Sequence, residues 1–256
     1  MMRRIHLVMV LVLWLISSAS SQVQNINIGG SFSGSFMLSG SAEAAYEISG
    51  SPYLSETWMF GSLEMKGDIV EQARSDQKKK AQLQEDQINE FSKINGLFRY
   101  NLYAQEFEMV YDRDTFAIVA PFHIKSISIS NMKFLPGLYV KRGGSRPYLG
   151  SAYFQVLSEG RCKLLLRHDV KIKGGSGPVT YSWAGGADAF VQYQQIYYQE
   201  SEGSEVVLLK KRKKSIRKLF TDRSDEVEEF IRREKININD NAGLTKVFNY
   251  YNKLDS

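Results

Sequence analysis

The stretch "LFRYNLYAQEFEMVYD", Leu97 to Asp112, decides how this chain is read. Phe98, Tyr100 and Leu102 are apolar at every second position, the period of a strand with one buried face. Past Ala104 the parity changes, and Phe107, Met109 and Tyr111 become the apolar set, with Glu106 and Glu108 interleaved. An even-length turn leaves that mark. If the chain turns at Ala104-Gln105, Leu102 opposes Phe107, Tyr100 opposes Met109 and Phe98 opposes Tyr111, and all six side chains share one face. Arg99 and Asn101 then point the other way. Neither central residue is Gly or Asn, so a two-residue type I′ turn fits badly. A four-residue loop, Tyr103 to Glu106, keeps the same pairing.

Similar units recur along the chain. "YLSETWMFGSLEM" (53–65) alternates around Trp58 and Phe60, and "TFAIVAPF" (115–122) and "HIKSISIS" (123–130) read as strands. "AYFQVLSEGRCKLLLRHDVKI" (152–172) reads as two strands around Glu159-Gly160, and "QQIYYQESEGSEVVLLK" (194–210) as two more around "ESEG". Strands separated by Gly-containing turns are the all-β pattern. "KGGSGPVTYSWAGGADA", Lys173 to Ala189, reads as a Gly-rich loop with Trp183 in its middle. The character changes near Lys210. Ile216, Leu219 and Phe220 fall at helical spacing, as do Val227, Phe230 and Ile231, and then Leu244, Val247, Phe248 and Tyr251. Ser224 is placed as an N-cap, with acids in the following turn and bases in the last. Short amphipathic helices of this kind need a surface to bury against. The fold class is mostly β with a C-terminal α segment: an antiparallel sheet, roll or barrel-like domain built of hairpins, then short helices.

The ends and one insertion complete the organisation. Arg3 and Arg4 precede the apolar run "LVMVLVLWLI", and small residues lead to Gln22. The run is shorter than the roughly 20 apolar residues a spanning helix needs. A basic start, short apolar core and small-residue exit read as a secretory signal peptide over 1–21. Residues 22–52 are rich in Gly and Ser and are expected to be flexible. The β-rich domain covers 53–210. Within it 71–94, long, polar and free of Gly and Pro, is expected to be a helical or disordered insertion. Residues 211–256 form the helical segment packed on the β domain.

Charge and cysteine content narrow the chemistry. Without Arg3 and Arg4 the chain has 31 basic and 28 acidic residues, and seven of the 31 lie in "KKRKKSIRK", Lys210 to Lys218. The rest is slightly acidic, so basicity is local and no nucleic-acid partner is expected. The single cysteine, Cys162, forms no internal disulfide and reads as a small buried apolar residue. His168 and Asp169 are neighbours in a strand and point to opposite faces, so neither orients the other. There is no GxSxG elbow, no HExxH, no CxxC, no EF-hand spacing and no P-loop ending after "KGGSGP". Asp112 and Asp114 read as turn residues rather than an acid/base pair. No catalytic residue, cofactor or metal is expected.

The motifs "YLSETWMFGSLEM", "RYNLYAQEFEM", "FQVLSEG", "LLKKRKKSIRKLF" and "VFNYYNKL" resemble a family of exported Bacteroidota proteins with no assigned activity. The resemblance covers most of the chain after residue 52. It implies the architecture above and an exported location, in the periplasm or at the cell surface. Two sets of candidate contact residues follow from the residues themselves. Trp58, Tyr103 and Trp183, with Tyr100 and Phe107, are aromatic in a strand-rich region and read either as core or as the lining of a ligand pocket. Lys211, Arg212, Lys213 and Lys214 read either as a solvated link or as a contact with an anionic membrane surface or an envelope protein. The expected role is binding or structural. The alternative is a lipocalin-like carrier of a small apolar ligand, with a hydrolase third. A transmembrane barrel is disfavoured by the charged strand positions and the helical C-terminus.

Overall fold

The computed structural model describes residues 48–67, 93–111, 114–118, 123–141, 148–174 and 188–254. The signal-peptide segment, nearly all of the Gly/Ser-rich segment, the insertion up to residue 92 and the loop that carries Trp183 lie outside the described residues. The strands are β1 (Met59–Met65), β2 (Lys93–Asn101), β3 (Glu106–Tyr111), β4 (Asp114–Ile118), β5 (Ile124–Ile129), β6 (Met132–Lys141), β7 (Tyr148–Ser158), β8 (Lys163–Lys173), β9 (Ala189–Gln199) and β10 (Val207–Leu208). Helices α1 (Lys213–Leu219), α2 (Ser224–Arg233) and α3 (Asn241–Lys253) follow, with a 3₁₀ turn at Thr221–Arg223. The strands form one open, mostly antiparallel sheet in the order β10-β9-β8-β7-β6-β5-β1-β2-β3-β4. A sheet of hairpins followed by short helices is thus the fold. β2 begins at Lys93, so the last two residues of the expected insertion are strand.

The chain divides into two compact units. Of the described residues, the first contains 48–58, 98–111, 114–118, 169–174 and 188–193. Here the hairpin of the opening stretch turns over Leu102–Gln105, one residue earlier than expected. Asn101 is the reason. Its Oδ1 accepts from the backbone N–H groups of Tyr103 and Ala104 at 3.1 and 3.0 Å, an Asx turn. Gln105 closes the loop at φ 58°, in the left-handed region, and its Nε2 donates to the Leu102 carbonyl at 2.6 Å. The residue against Phe107 is accordingly Tyr100, its ring stacked at 4.4 Å and 8°, where Leu102 was expected opposite. A slip of two residues preserves parity. Phe98, Tyr100, Leu102, Phe107 and Met109 are all buried, as their alternation requires. β3 continues antiparallel into β4, from Phe107↔Ile118 to Tyr111↔Asp114. The expected turn residue Asp112 lies outside the described residues; Asp114 opens β4. The segment before β1 pairs twice: Ser49 with Ala189 in parallel, and Tyr53 with Asn101 antiparallel.

The second unit contains 59–67, 93–97, 123–141, 148–168 and 194–254 among the described residues. β5 shows how a bulge edits a pattern. "HIKSISIS" alternates Ile124 with Ile127 and Ile129 on opposite parities, yet all three are buried. The register with β1 shifts between Glu64 and Met65, passing from Glu64↔Ser126 to Met65↔Ile124. Lys125 is the extra, exposed residue that lets both parities point inward.

β8 is buried from Leu164 through His168. Leu165 joins Tyr139, Ala152, Phe154, Tyr197 and Val206 in one cluster. Leu164 and Leu166 join the helices in another. Alternation along the strand sends neighbours to opposite faces, so a run buried continuously means both faces are covered. In the first cluster Tyr139, Phe154 and Tyr197 meet edge to face with centroids 5.1 to 6.0 Å apart. Val206 completes it, donating its N–H to the Leu138 carbonyl at 3.2 Å.

The second cluster holds the C-terminus in place. Ile216 and Phe220 of the first helical segment, Val227 of α2, and Leu244, Val247, Phe248 and Tyr251 of α3 pack with Cys162, Leu164, Leu166 and Ile196. Phe230 stacks on Tyr250 at 3.9 Å. Ser224 is the first helical residue of α2 and not its cap, because the 3₁₀ turn runs directly into it and leaves Arg223 in the cap position. α3 is capped by Asp240, whose carboxylate accepts from the Gly243 N–H. A Cβ at residue 243 would sit 1.9 Å from the Asn237 carbonyl oxygen, so only glycine fits there. At the far end of α3, Asn252 reaches the β7–β8 turn. Its Nδ2 donates to the carbonyls of Glu159 and Cys162, both at 2.9 Å, and its Oδ1 accepts from the Cys162 N–H at 3.0 Å.

Phe248 is fully buried in this cluster. Phe248→Ala is expected to cost about 3–5 kcal/mol, read as a lower denaturant midpoint at an unchanged m-value. Truncation before Ser224 should lower the melting temperature and expose apolar surface to a dye such as ANS. An unchanged melt would mean that the helices contribute nothing to the core.

Candidate functional site

The described aromatic residues singled out from the sequence take different places. Tyr100 and Phe107 are fully buried core. Tyr103, at the hairpin tip, is 55% exposed and meets Phe190 edge to face at 5.8 Å. Trp58 lies against Arg99, a residue of the opposite parity to Tyr100. Trp183 is outside the described residues.

Around Arg99 the structure assembles a site that the sequence reading did not name. The guanidinium carbon lies 3.7 Å from the Tyr53 ring centroid and 4.5 Å from that of Trp58. Arg99 donates to Glu108 Oε2 from Nε at 3.1 Å and from a terminal nitrogen at 2.6 Å. It also donates to the Tyr53 hydroxyl at 3.1 Å, which in turn donates to Glu108 Oε1 at 3.1 Å. Burial, and then the Glu108 charge, push the Tyr53 phenol up, while Arg99 pulls the other way. Glu106 is raised by burial and by Glu108. The guanidinium is thus neutralised by a carboxylate and flanked by two rings, an arrangement that fixes β2, β3 and the segment before β1 together. Arg99 and Glu108 were legible as outward residues of one hairpin. Tyr53 was not, because no local pattern links residues 46 positions apart.

His168 is buried beside Gln155, with 2.7 Å between Nε2 and Oε1, and Gln194 Nε2 approaches Nδ1 at 3.4 Å. Burial lowers its pKa. Cys162 is 3% exposed, and burial followed by the Glu200 charge pushes its thiol up to about 12. It is therefore a protonated core residue and not an activated nucleophile. Among the described residues no group of three or more His, Cys, Asp or Glu side chains is placed to hold a metal ion.

The basic run divides. Lys211 folds inward, donating to the Asn239 carbonyl at 3.0 Å and to Asn241 Oδ1 at 3.2 Å, and so braces the loop between α2 and α3. Arg212, Lys213 and Lys214 remain exposed. Trp58 and Tyr103 belong to the first unit and the basic run to the second, so the two sets are separate candidates. No protein-family model, no curated protein and no solved structure matches this chain.

Two measurements follow. Arg99→Met should cost about 1–3 kcal/mol through the unpaired Glu108, and a double-mutant cycle with Glu108→Gln should show coupling above about 0.5 kcal/mol. Independent effects would reduce the cluster to surface decoration. For His168, a folded-state pKa below the unfolded value means that the unfolded chain binds more protons. Its stabilising contribution is complete above about pH 6.5, falls as the pH drops below that, and levels off past the folded value. The difference in stability between wild type and His168→Gln should therefore narrow on acidification.

Proposed function

We propose that this protein is exported to the periplasm or cell surface and has a binding or structural role there, engaging its partner through outer surfaces of the sheet and helices. The observation that carries the reading is the filled interior of the second unit. Tyr139, Phe154 and Tyr197 fill the space over one face of β6 to β9, each at most 5% exposed. A carrier keeps such a space open for its cargo, so the packing gives the lipocalin-like alternative less support. Contact residues are then sought outside, where Tyr103, Val191, Tyr193, Val207 and Leu208 retain substantial exposure. The basic segment before the signal-like apolar run, and the resemblance to exported proteins, support the location.

Expression of the full chain in a Gram-negative host tests both parts. The protein recovered from the envelope fraction should begin at Gln22 by N-terminal sequencing, and its native mass should equal that of the polypeptide alone. Recovery in the cytoplasm with an intact N-terminus would overturn export. A co-purifying lipid of defined mass would replace the binding reading with the carrier.

A further inference from the structure

Among the described strands longer than two residues, β9 alone has no charged residue, no proline and no glycine. It reads "AFVQYQQIYYQ", Ala189 to Gln199. Sheets protect their edges with charged side chains, proline, bulges or a covering segment. β9 has no charge or proline of its own, so its protection has to be a cover. The middle of the strand is open to water: Val191 and Tyr193 are 36% and 39% exposed, and Gln192 and Gln194 are exposed as well.

One edge of β9 is taken by β8. The other is covered, among the described residues, at its two ends. β10 pairs with Tyr197 and Tyr198, and the Leu209 N–H donates to the Ile196 carbonyl at 2.9 Å. At the start of the strand, Ser49 lies parallel to Ala189. The Ser49 N–H donates to the Asp188 carbonyl at 2.8 Å, and its carbonyl accepts from the Phe190 N–H at 2.9 Å. Gly50 then turns the chain at φ 83°. Main-chain groups of alternate residues face the same edge, so those of Gln192 and Gln194 point outward between the two covers. A neighbouring strand would lie about 4.8 Å from β9, in the place that Ser49 holds.

We infer that Ser49 is a removable guard and that this edge takes a second copy of the chain, whose own β9 lies antiparallel to it about a two-fold axis at Gln192. The inference rests on the structural role proposed above and names its partner. β8 holds the far edge of each copy, so the assembly closes as a dimer. What stays in place sets the register. With β10 seated, residues 189–195 are the available length. Centring them sets Gln192 against Gln192 of the partner subunit, Phe190 against the partner's Gln194 and Val191 against the partner's Tyr193. Phe190, Gln192 and Gln194 then exchange main-chain bonds across the axis. Val191 and Tyr193 share a face, so each Val–Tyr pair sets a β-branched side chain against an aromatic ring, a favourable cross-strand pair. No like charges meet, because the segment has none. A second copy supplies this match by symmetry, with no fitted partner required.

The test uses the purified mature chain in sedimentation velocity. Gly50→Val lifts the guard, because a Cβ at residue 50 would sit 3.0 Å from the Phe190 carbonyl oxygen and the left-handed backbone disfavours a side chain there. Wild type should be mostly monomeric. Gly50→Val should dimerise at least about tenfold more tightly, the worth of two main-chain bonds that no longer compete. Adding Gln192→Lys sets two like charges face to face and should return it to the monomer. Cysteine reads the register. Opposed residues that exchange main-chain bonds have Cα atoms about 5.5 Å apart, within reach of a disulfide. Gln192→Cys in the Gly50→Val chain should therefore oxidise to a covalent dimer, and Gln194→Cys, which faces the partner's Phe190, should not. Cys162 is buried and adds no cross-link in the folded chain. Should Gly50→Val not fold, Gln192→Cys in the otherwise native chain decides the matter, cross-linking slowly as Ser49 opens. A folded Gly50→Val that stays monomeric, equal dimerisation of wild type, a dimer that survives Gln192→Lys, cross-linking at Gln194 in place of Gln192, or no cross-link at Gln192 in the native chain would each overturn the inference. Export is tested separately by the N-terminal sequence, so failure here leaves that reading standing.

Discussion

The second unit depends on a single strand being covered on both faces. β8 buries Leu164 to His168 without a break, and each parity meets a different cluster. One cluster is internal to β6 through β9. The other exists only because α1, α2 and α3 bring Phe220, Val227, Leu244, Val247 and Phe248 to the opposite face. None of these helices is long enough to be stable alone. Each provides an apolar stripe that is buried against the others and against Leu164 and Leu166 of β8. Polar contacts then fix the register of that layer. Asn252 satisfies three backbone groups of the β7–β8 turn, and the Tyr251 hydroxyl donates to Asp222 at 3.1 Å. Gly160 in that turn approaches the Asn252 side chain so closely that a Cβ would sit 2.6 Å from it.

Most of this was legible in the sequence where a period survives burial. The hairpin parity of Leu97–Asp112, the stripes of the three helices and the Gly-centred turns all express one element meeting one apolar surface. The exceptions have local causes. β6 contains Pro136 and Gly137, residues that argue against a strand interior. Its pairing with β5 stops at Phe134, so the proline falls beyond that ladder. The true turn of the opening hairpin was set by the Asn101 side chain rather than by its central pair. β5 gained a bulge at Lys125 that no alternation count reveals.

The candidate sites were less legible, for a different reason. Composition marked Trp58 and Lys211 to Lys214 as unusual, but their roles depend on distant partners. Trp58 stacks on a guanidinium that is itself held by Glu108 and Tyr53. Lys211 and Lys213 are two residues apart and do different things, one bracing a loop and the other facing water. A charge run in sequence becomes a surface only after the fold has removed some of its members.

The one thiol of the chain sits under the end of α3, with the N–H and carbonyl of its own residue both bound to Asn252. No reagent reaches that sulfur while the helix is seated. Alkylation of Cys162 in the native protein therefore proceeds at a rate set by how often α3 lifts away. The molecule carries an internal clock for the opening of its C-terminal layer, and that clock can be read by mass without adding a label anywhere else.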